Sequence, residues 1–379
     1  MFYGAKLKYI RMVSGLSRKE LSDKLGITEQ SVGQYETGMI IPKVDIRIQL
    51  NELFGVSNGY FSNNQCMPLL DIESKIAFRN SDREQRSKVE FEKYFLSDIH
   101  GYLKIFSEKI NFFLNDLSEI KNSIVKDYED LENDDIEVIA NKMRGKLDIT
   151  TNDNLMPMLE RIGIIVLEKP FLNQTDACSV WVEGVPYIIL GDQKKSFVRR
   201  NFDLAHELGH LILHANRDIN TLDKKEFDLL EAQANHFASC FLLPRDSFLN
   251  DLQRIKKNIS NPDAYIELKK KWKVSIAAMG YKAFKESEMT YQQYRYFNMS
   301  LNKKQYKIIE PLDKEFLILR PLRIQKMFEF LFENDVINLN KFLEIHGLSS
   351  KGMAHKFNLS EAFLRKYLNK KDNIVEFRF

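Results

Sequence analysis

Residues 202–210 contain two histidines four positions apart, with a glutamate directly after the first of them. The neighbouring residues are largely apolar and compatible with a helix, on which residues four apart share a face. His206 and His210 can therefore direct both imidazoles at one divalent metal ion. Glu207 is then placed to take a proton from a water molecule at that metal. Because the pattern is short, the rest of the chain decides its meaning.

A catalytic zinc ion needs a third protein ligand and leaves one position open for water. Glu231 is the best-placed carboxylate, since it lies in a second segment, 228–238, whose apolar residues recur at helical spacing. Asn235 follows one turn later on the same face and can hydrogen-bond a ligating histidine. The alternative is an exposed acidic helix end near a core helix that carries histidines. We favour the metal site.

Residues 200–214 and 231–245 together resemble the signature of the ImmA/IrrE metallopeptidases, and the resemblance runs from about Ile136 to Ala283. It implies a zinc-dependent endopeptidase with one Zn²⁺ per chain that cleaves helix-turn-helix repressors. By the same resemblance His206, His210 and Glu231 are the metal ligands and Glu207 is the general base. Nothing in these motifs departs from the family pattern, which implies an intact active site.

Two further histidines lie close to the motifs. His214 is either a fourth polar group of the cleft or, as we favour, a histidine that supports a ligand or closes the helix. His236 is a candidate to stabilise the oxyanion of the tetrahedral intermediate, and a plain surface histidine is an equally good interpretation.

Residues 178–190 predict a β-hairpin with a glycine in its turn. In zinc peptidases of this kind an edge strand beside the metal-binding helix pairs with an extended substrate peptide. Either 180–183 or 187–190 can be that strand. A hairpin that serves only the core is equally consistent.

The first 61 residues predict a second, independent module. A serine cap and Gly26 bound one short helix, and Thr28 and Gly38 bound the next, which gives a helix-turn-helix. The segment resembles the Xre/Cro-type repressor domain, whose second helix lies in the major groove of DNA.

Seven residues of this module are candidates to contact DNA: Arg18, Thr28, Glu29, Gln30, Ser31, Gln34 and Lys43. Gln30 or Gln34 can pair with adenine, and cations including Lys6 and Arg11 can contact phosphates. Arg18 departs from the family, which usually has glutamine there, but a phosphate contact survives that change. The alternative is a helical bundle used for dimerisation or substrate docking.

Residues 71–126 predict a helical connector, in which aromatic and aliphatic residues from Phe91 to Leu114 form the stripe of one long amphipathic helix. Core packing or a dimer seam explains this stripe better than a ligand site. The acidic run 127–135 predicts a solvated linker. Residues 351–368 follow helix-turn-helix spacing loosely, and we favour a helical cap on the peptidase over a second binding module.

We therefore predict a mainly α fold with a small β-sheet (α+β) in four parts. They are a helix-turn-helix domain at 1–65, a helical connector at 66–135, a gluzincin-like metallopeptidase domain at 136–289, and a helical C-terminal extension at 290–379, with a degenerate helix-turn-helix as one interpretation of its end.

The composition is that of an ordinary globular chain, with 379 residues, 44% hydrophobic and 29% charged. A net charge of +3 is too small to imply nucleic-acid binding by itself. Because there is no apolar run of membrane length and no secretory signal pattern, we expect a cytoplasmic protein without a membrane partner. Cys66, Cys178 and Cys240 form no Cys-x-x-Cys pair, which argues against disulfides and a cysteine-type zinc site.

The function predicted from these features is a transcriptional regulator with zinc-dependent endopeptidase activity. Its partners are DNA, through the N-terminal domain, and a protein substrate that is a helix-turn-helix repressor or this chain itself; a homodimer is one expected state. The alternative is a non-catalytic repressor or antitoxin-like regulator whose peptidase fold acts as a sensor or docking module.

Overall fold

The computed structural model describes residues 1–63, 83–125, 132–169, 177–191, 196–215, 217 and 222–368. These residues form two compact units. Unit one consists of the described residues of Met1–Ser74, Phe78–Phe112 and Leu322–Phe379, and unit two consists of those of Phe113–Pro321. No helix of the described ranges combines the length and apolar composition needed to cross a membrane.

The described residues contain eighteen α-helices and three strands. The helices are α1 (Gly4–Val13), α2 (Arg18–Leu25), α3 (Glu29–Thr37), α4 (Val44–Phe54), α5 (Arg83–Ser107), α6 (Asp116–Val125), α7 (Asn133–Lys146), α8 (Leu155–Arg161), α9 (Phe197–Leu213), α10 (Lys224–Leu242), α11 (Arg245–Ile255), α12 (Ile266–Trp272), α13 (Ile276–Lys285), α14 (Tyr291–Lys303), α15 (Arg323–Glu333), α16 (Leu339–His346), α17 (Ser350–Phe357) and α18 (Glu361–Leu368). The strands are β1 (Ile165–Lys169), β2 (Ala177–Val182) and β3 (Val185–Gly191).

The N-terminal helices of unit one begin and end at capping residues. The Ser17 hydroxyl accepts a hydrogen bond from the N–H of Glu20 at 3.1 Å, which caps α2. Thr28 caps α3 in the same way. Gly26 ends α2 in the left-handed conformation, at φ 64°, which costs glycine no steric strain. The predicted helix-turn-helix is confirmed in its caps and in its turn.

Helix α5 buries the predicted aromatic stripe, but it is shorter than the sequence suggested. Phe91, Tyr102 and Phe106 are all buried. The helix ends at Ser107, so the prediction of one helix that continues to Leu114 is wrong. A new helix, α6, starts at Asp116, where the side-chain oxygen of Asn115 accepts a hydrogen bond from the N–H of Ser118. A side-chain cap of this kind favours the start of a new helix over the continuation of the preceding one.

The C-terminal helices α15 to α18 belong to unit one. The Phe106 ring of α5 lies 5.0 Å from that of Phe328 and 5.3 Å from that of Phe342. The backbone of Ser349 donates a hydrogen bond to the carbonyl of Gly55 at 2.9 Å. These helices therefore complete the core of the N-terminal unit and are not the cap on the peptidase that we favoured from sequence.

The sheet of unit two has the strand order β1-β3-β2. β1 runs parallel to β3, and β2 is antiparallel to β3. Glu183 and Gly184 connect β2 to β3, and both have positive φ values, 46° and 78°, as a two-residue hairpin turn requires. The predicted hairpin with a glycine in its turn is present.

Unit two has one hydrophobic core, to which the sheet, α7, α9 and α10 all contribute. The predicted fold class, mainly α with a small sheet, is confirmed. Cys66 and residues 127–131 of the acidic run lie outside the described residues. The remainder of that acidic run enters α7 at Asn133.

Candidate metal centre

Helices α9 and α10 pack closely because the residue of α9 that faces α10 is a glycine. A Cβ atom built on Gly209 would lie 3.1 Å from Cδ1 of Phe237, tighter than nearly all contacts of that kind. Phe237 and the neighbouring Ala234 are fully buried. The close approach places the histidine face of α9 opposite the acidic face of α10.

Buried amides fix both helices to the rest of unit two. The Asn152 side chain donates to the carbonyls of Leu242, at the end of α10, and of Trp272, at 2.9 and 2.6 Å. The Asn201 side chain, on α9, donates to the carbonyl of Asn152 at 2.8 Å. Asn152 is completely buried, so these bonds are shielded from water and hold the two helices in register.

The three predicted ligands form a triangle of donor atoms. Nε2 of His206 lies 3.0 Å from Nε2 of His210. The Glu231 carboxylate reaches to 3.6 Å from the first of these nitrogens and to 3.4 Å from the second. All three side chains are partly exposed, so solvent can reach the centre of the triangle.

This triangle fits a tetrahedral zinc ion. Zinc bonds to nitrogen and oxygen of about 2.0–2.1 Å, at tetrahedral angles, separate the ligand atoms by about 3.3–3.4 Å. The two Nε2 atoms are 3.0 Å apart, Oε2 of Glu231 lies 3.6 Å from Nε2 of His206, and Oε1 lies 3.4 Å from Nε2 of His210, all close to that value. Two imidazoles and a carboxylate are also a donor set that catalytic zinc uses, with the fourth position left for water.

Each ligating histidine also makes a hydrogen bond through Nδ1, the ring nitrogen that does not face the metal position. Nδ1 of His206 lies 3.1 Å from Oδ1 of Asn235, a pure acceptor, so this nitrogen carries the proton. Nδ1 of His210 lies 2.9 Å from Nδ1 of His214, whose Nε2 lies 3.0 Å from Oε1 of Gln233. Both networks leave Nε2 of the ligands unprotonated and free to bind a cation.

The environment keeps the supporting histidine neutral. Burial lowers the pKa of His214 to about 3, and burial together with the neighbouring His210 lowers the pKa of His206 to about 4. Burial also acts to lower the pKa of His210, but the carboxylates of Glu231 and Glu207 outweigh it and raise that pKa. The carboxylates thus attract positive charge to the centre of the site, whereas burial keeps His206 and His214 neutral.

Glu207 lies on α9 next to the ligand His206 and is buried. Burial raises the pKa of its carboxyl group to about 7, against the smaller opposing effects of His210 and Ser179. A carboxylate with a pKa near neutrality can both accept and return a proton. Its position and its burial suit the predicted general base.

The hairpin places one strand beside the metal-binding helix. The hydroxyl of Ser179, on β2, donates to the carbonyl of Glu207 at 3.2 Å, and Trp181 Nε1 donates to the carbonyl of Leu211. Within the described sheet β3 is paired on both sides, whereas β2 is an edge strand. Of the two segments considered for pairing with a substrate, 187–190 is therefore excluded, and 180–183 remains, of which β2 contains 180–182.

Two supporting residues differ from the sequence analysis. His236 lies 3.7 Å from the sulfur of Cys240, and five residues of helix rotate it about 140° from Glu231. The structure does not bring it to the donor triangle. Gln233, which the sequence analysis missed, lies on α10 between Glu231 and Asn235 and holds His214. The only sign of this role in the sequence was the position of Gln233 in the segment that carries Glu231.

The structure brings four of the predicted DNA-contacting residues together on one surface: Arg18, Glu29, Gln30 and Gln34. Thr28 and Ser31 lie at the start of α3, where their hydroxyl oxygens are 2.9 Å apart. Lys43, before α4, is exposed.

A buried carboxylate organises this surface. Glu36 accepts hydrogen bonds from Arg11 at 2.5 Å and from Arg18 at 2.7 Å. The Arg18 side chain remains 44% exposed, whereas that of Arg11 is only 6% exposed. Lys6 is also buried, against the ring of Tyr60. The prediction that Lys6 and Arg11 contact phosphates is therefore wrong, because both cations serve the interior.

Comparison with known proteins gives independent matches for both modules. The family model of the IrrE N-terminal-like domain matches residues 159–284, and a helix-turn-helix family model matches residues 7–61. A curated relative is the SPbeta prophage-derived uncharacterized HTH-type transcriptional regulator YonR of Bacillus subtilis (strain 168). It is 36% identical over 58 residues, which are 15% of this chain and 54% of that protein.

A solved structure described as a Mycobacterium tuberculosis transcriptional regulator is 19% identical, with a TM-score of 0.29 over 46% of this chain and 49% of that one. The chain spans about half the length of each of these two relatives. The two family models match in the order that the sequence predicted, the helix-turn-helix model first and the IrrE N-terminal-like model second.

Proposed function

We propose that this protein is a DNA-binding transcriptional regulator with zinc-dependent endopeptidase activity. The observation that carries the peptidase half is the donor triangle of His206, His210 and Glu231, with the buried Glu207 beside it. The order of the two matched domains and the regulatory relative support the other half.

When bound by the three ligands, zinc supplies a Lewis acid that lowers the pKa of water to about 7. The chain's own residues do the rest. Glu207 takes the proton of the attacking water and returns it to the leaving amine. Asn235 and His214 keep the ligand imidazoles in the tautomer that binds metal. The edge strand β2 offers its backbone to an extended substrate beside Glu207.

The class of substrate that we propose is a helix-turn-helix repressor, which includes this chain itself. Its own N-terminal module matches a helix-turn-helix family model, which supports this choice. Capping side chains begin its α2 and α3, and the buried Glu36 binds Arg11 and Arg18 within it. Gln30 and Gln34 lie on the surface that α3 would present to the major groove.

The peptidase proposal is tested with zinc-loaded full-length protein and with Glu207→Gln, which keeps all three metal ligands. Tagged Glu207→Gln protein serves as an inert substrate, and a separate helix-turn-helix repressor serves as the second substrate. We expect the unsubstituted enzyme to cut at least one of them, at a rate about 10²–10⁴-fold above that of the Glu207→Gln enzyme.

Equal cleavage by both enzymes would show contamination and reject the proposal. If zinc binds with normal affinity and neither substrate is cut, the non-catalytic alternative replaces it, with the domain acting as a sensor or docking module. If the repressor is cut and the tagged chain is not, self-cleavage is rejected and the peptidase remains.

The DNA proposal is tested by selecting binding sites from random duplexes and measuring their affinity. Gln30→Ala is expected to weaken the selected site by about 1–3 kcal/mol and to relax one position of it. Gln49→Ala makes the same change at an exposed position of α4 and serves as the matched control. Equal affinity of the two variants would reject Gln30 as a base-contacting residue.

A further inference from the structure

The last three helices of unit one repeat the first three. Corresponding residues are always separated in the sequence by the same number of positions as Ser17 and Ser349. At this separation α16 corresponds to the later part of α1, α17 to α2 and α18 to α3. The same residue type stands at both members of these pairs: Leu7 and Leu339, Gly15 and Gly347, Leu16 and Leu348, Ser17 and Ser349, Lys19 and Lys351, Lys24 and Lys356, Glu29 and Glu361, and Tyr35 and Tyr367.

The helix caps repeat in the same register. Ser349 Oγ accepts a hydrogen bond from the N–H of Gly352 at 3.0 Å, which corresponds to the cap of Ser17 on α2. Ser360 Oγ accepts one from the N–H of Phe363 at 3.1 Å, which corresponds to the cap of Thr28 on α3. Both helices of the C-terminal pair thus begin where the helix-turn-helix begins them.

The turns also repeat. Asn358 stands where Gly26 ends α2, and both are left-handed, with φ of 51° and 64°. Asparagine is the non-glycine residue that adopts this conformation most readily. Gly347 and Gly15 are left-handed at the preceding junction, with φ of 63° and 69°.

The two triplets bury side chains at corresponding positions. Leu7, Leu21, Leu25 and Val32 are buried in the first, and their counterparts Leu339, Met353, Phe357 and Leu364 are buried in the second. Residues 339–367 therefore have the caps, the turns and the core of a helix-turn-helix.

The exposed positions of the second recognition helix differ from those of the first. Ala362 and Lys366 replace the two glutamines that we propose to contact bases, Gln30 and Gln34. Arg365 stands at the position of Gly33. The change removes side chains that recognise base edges and adds cations, which bind phosphate.

These cations are accessible. The Arg365 side chain is 74% exposed, and Lys351 and Lys366 are exposed. Arg365 lies 3.1 Å from Glu361 one turn earlier, but the glutamate is itself 58% exposed. Such a surface pair is weak and yields readily to a phosphate.

We propose that α16, α17 and α18 form a second helix-turn-helix module that binds the phosphate backbone of double-stranded DNA through Lys351, Arg365 and Lys366. This module increases the affinity for DNA and the dependence of that affinity on salt, whereas α3 determines which DNA sequence is bound. The proposal rests on DNA binding by this chain, which the first module would provide.

The test uses the full chain, a mixed-sequence DNA duplex and fluorescence anisotropy between about 50 and 200 mM salt, where phosphate contacts dominate the change in affinity. The variant carries Arg365→Gln and Lys366→Gln. The matched control carries Lys326→Gln and Lys341→Gln, two exposed lysines of α15 and α16 that are not among the three proposed phosphate contacts. Both proteins lose the same net charge, and circular dichroism verifies that both are folded.

We expect the variant to reduce the slope of log affinity against log salt by about 1–2, since each phosphate contact contributes about 0.9. The control should reduce it by much less. Equal slopes in the two proteins overturn the proposal and leave the first module unaffected. A changed oligomeric state in sedimentation with an unchanged slope also overturns it, in favour of a protein-binding surface. If the unsubstituted chain does not bind the duplex, DNA binding by both modules is rejected.

Discussion

Nδ1 of His210 lies 2.9 Å from Nδ1 of His214, and a proton held between these two atoms on Nδ1 of His210 leaves Nε2, the nitrogen that faces Glu231, free to bind metal. His214→Phe keeps the volume of the ring and removes the acceptor. We expect zinc affinity to fall about 10–100-fold, as for other residues that support a metal ligand. Competition with a chelator of known affinity measures this change.

Two comparisons separate this role from simple packing. His214→Gln retains an oxygen acceptor and should recover part of the lost affinity. His236→Phe makes the same replacement at a histidine that does not contact the donor triangle and should leave zinc affinity unchanged. Similar losses in His214→Phe and His236→Phe would contradict the assignment.

Zinc removal should destabilise the protein. A ligand that binds only the folded state, at about 1,000 times its dissociation constant, stabilises by about 4 kcal/mol. We therefore expect a chelator to lower the melting temperature of the zinc-loaded chain in calorimetry. His206→Gln lacks one ligand and should melt at the same temperature with and without chelator. An unchanged melting temperature of the unsubstituted protein would argue against a folded-state metal site.

Gly352→Ala should destabilise unit one, because a Cβ atom there would lie 1.9 Å from the carbonyl oxygen of Gly55. Backbone must move to relieve such an overlap, and overpacking costs about 1–3 kcal/mol or more. Gly33→Ala is the matched control in the same unit, since its Cβ would meet only the end of Arg18 at 4.0 Å. That variant should gain up to about 1 kcal/mol from helix propensity. Urea unfolding measures both, and equal stability of the two variants would refute the contact.

His346 should make the stability of unit one depend on pH. Its ring packs against those of Tyr102 and Phe342, and burial, with the nearby Lys356, lowers its pKa although Asp98 opposes this. The unfolded chain therefore takes up the proton at a higher pH than the folded chain does. The stabilisation is present above the ordinary pKa of about 6.5 and is lost as the pH falls below it.

We expect His346→Gln to flatten the free energy of unfolding between about pH 7 and pH 5, around the ordinary pKa of histidine. His355→Gln, at an exposed histidine of α17, controls for the loss of a histidine from the same unit. If both variants retain the slope of the unsubstituted protein, His346 does not contribute to it.

Periodicity and capping signals predicted the parts of this protein that depend on local sequence. The four-residue spacing of His206 and His210 put them on one helix face, and Ser17 and Gly26 marked the ends of α2. A helical pattern shows which face is buried but not what covers it. For this reason the stripe of α5 did not reveal its partners in α15 to α17, more than two hundred residues away.

For the same reason, the sequence predicted only some of the hydrogen bonds that support the metal ligands. Asn235 shares a helix face with Glu231, so its hydrogen bond to His206 followed from spacing. The bond between His214 and Gln233 joins two helices at a distance that only their packing sets. The C-terminal helix-turn-helix was only the less favoured interpretation, because its caps and turns use different residues, such as Asn358 for Gly26.

Arg323 donates a hydrogen bond to the carbonyl of Phe112 at 2.8 Å, although unit two separates these residues in the chain. Unit two therefore enters and leaves the sequence of unit one at adjacent points, as inserted domains do. A polypeptide truncated after residue 321 would lack part of the core of its N-terminal unit and expose the rings of α5. Excising residues 113–321 and joining the ends with a short linker would instead preserve that core. A single cut within unit two would leave the N-terminal unit as two polypeptides joined only by noncovalent contacts, so that a break far from α3 would allow it to leave DNA by dissociation.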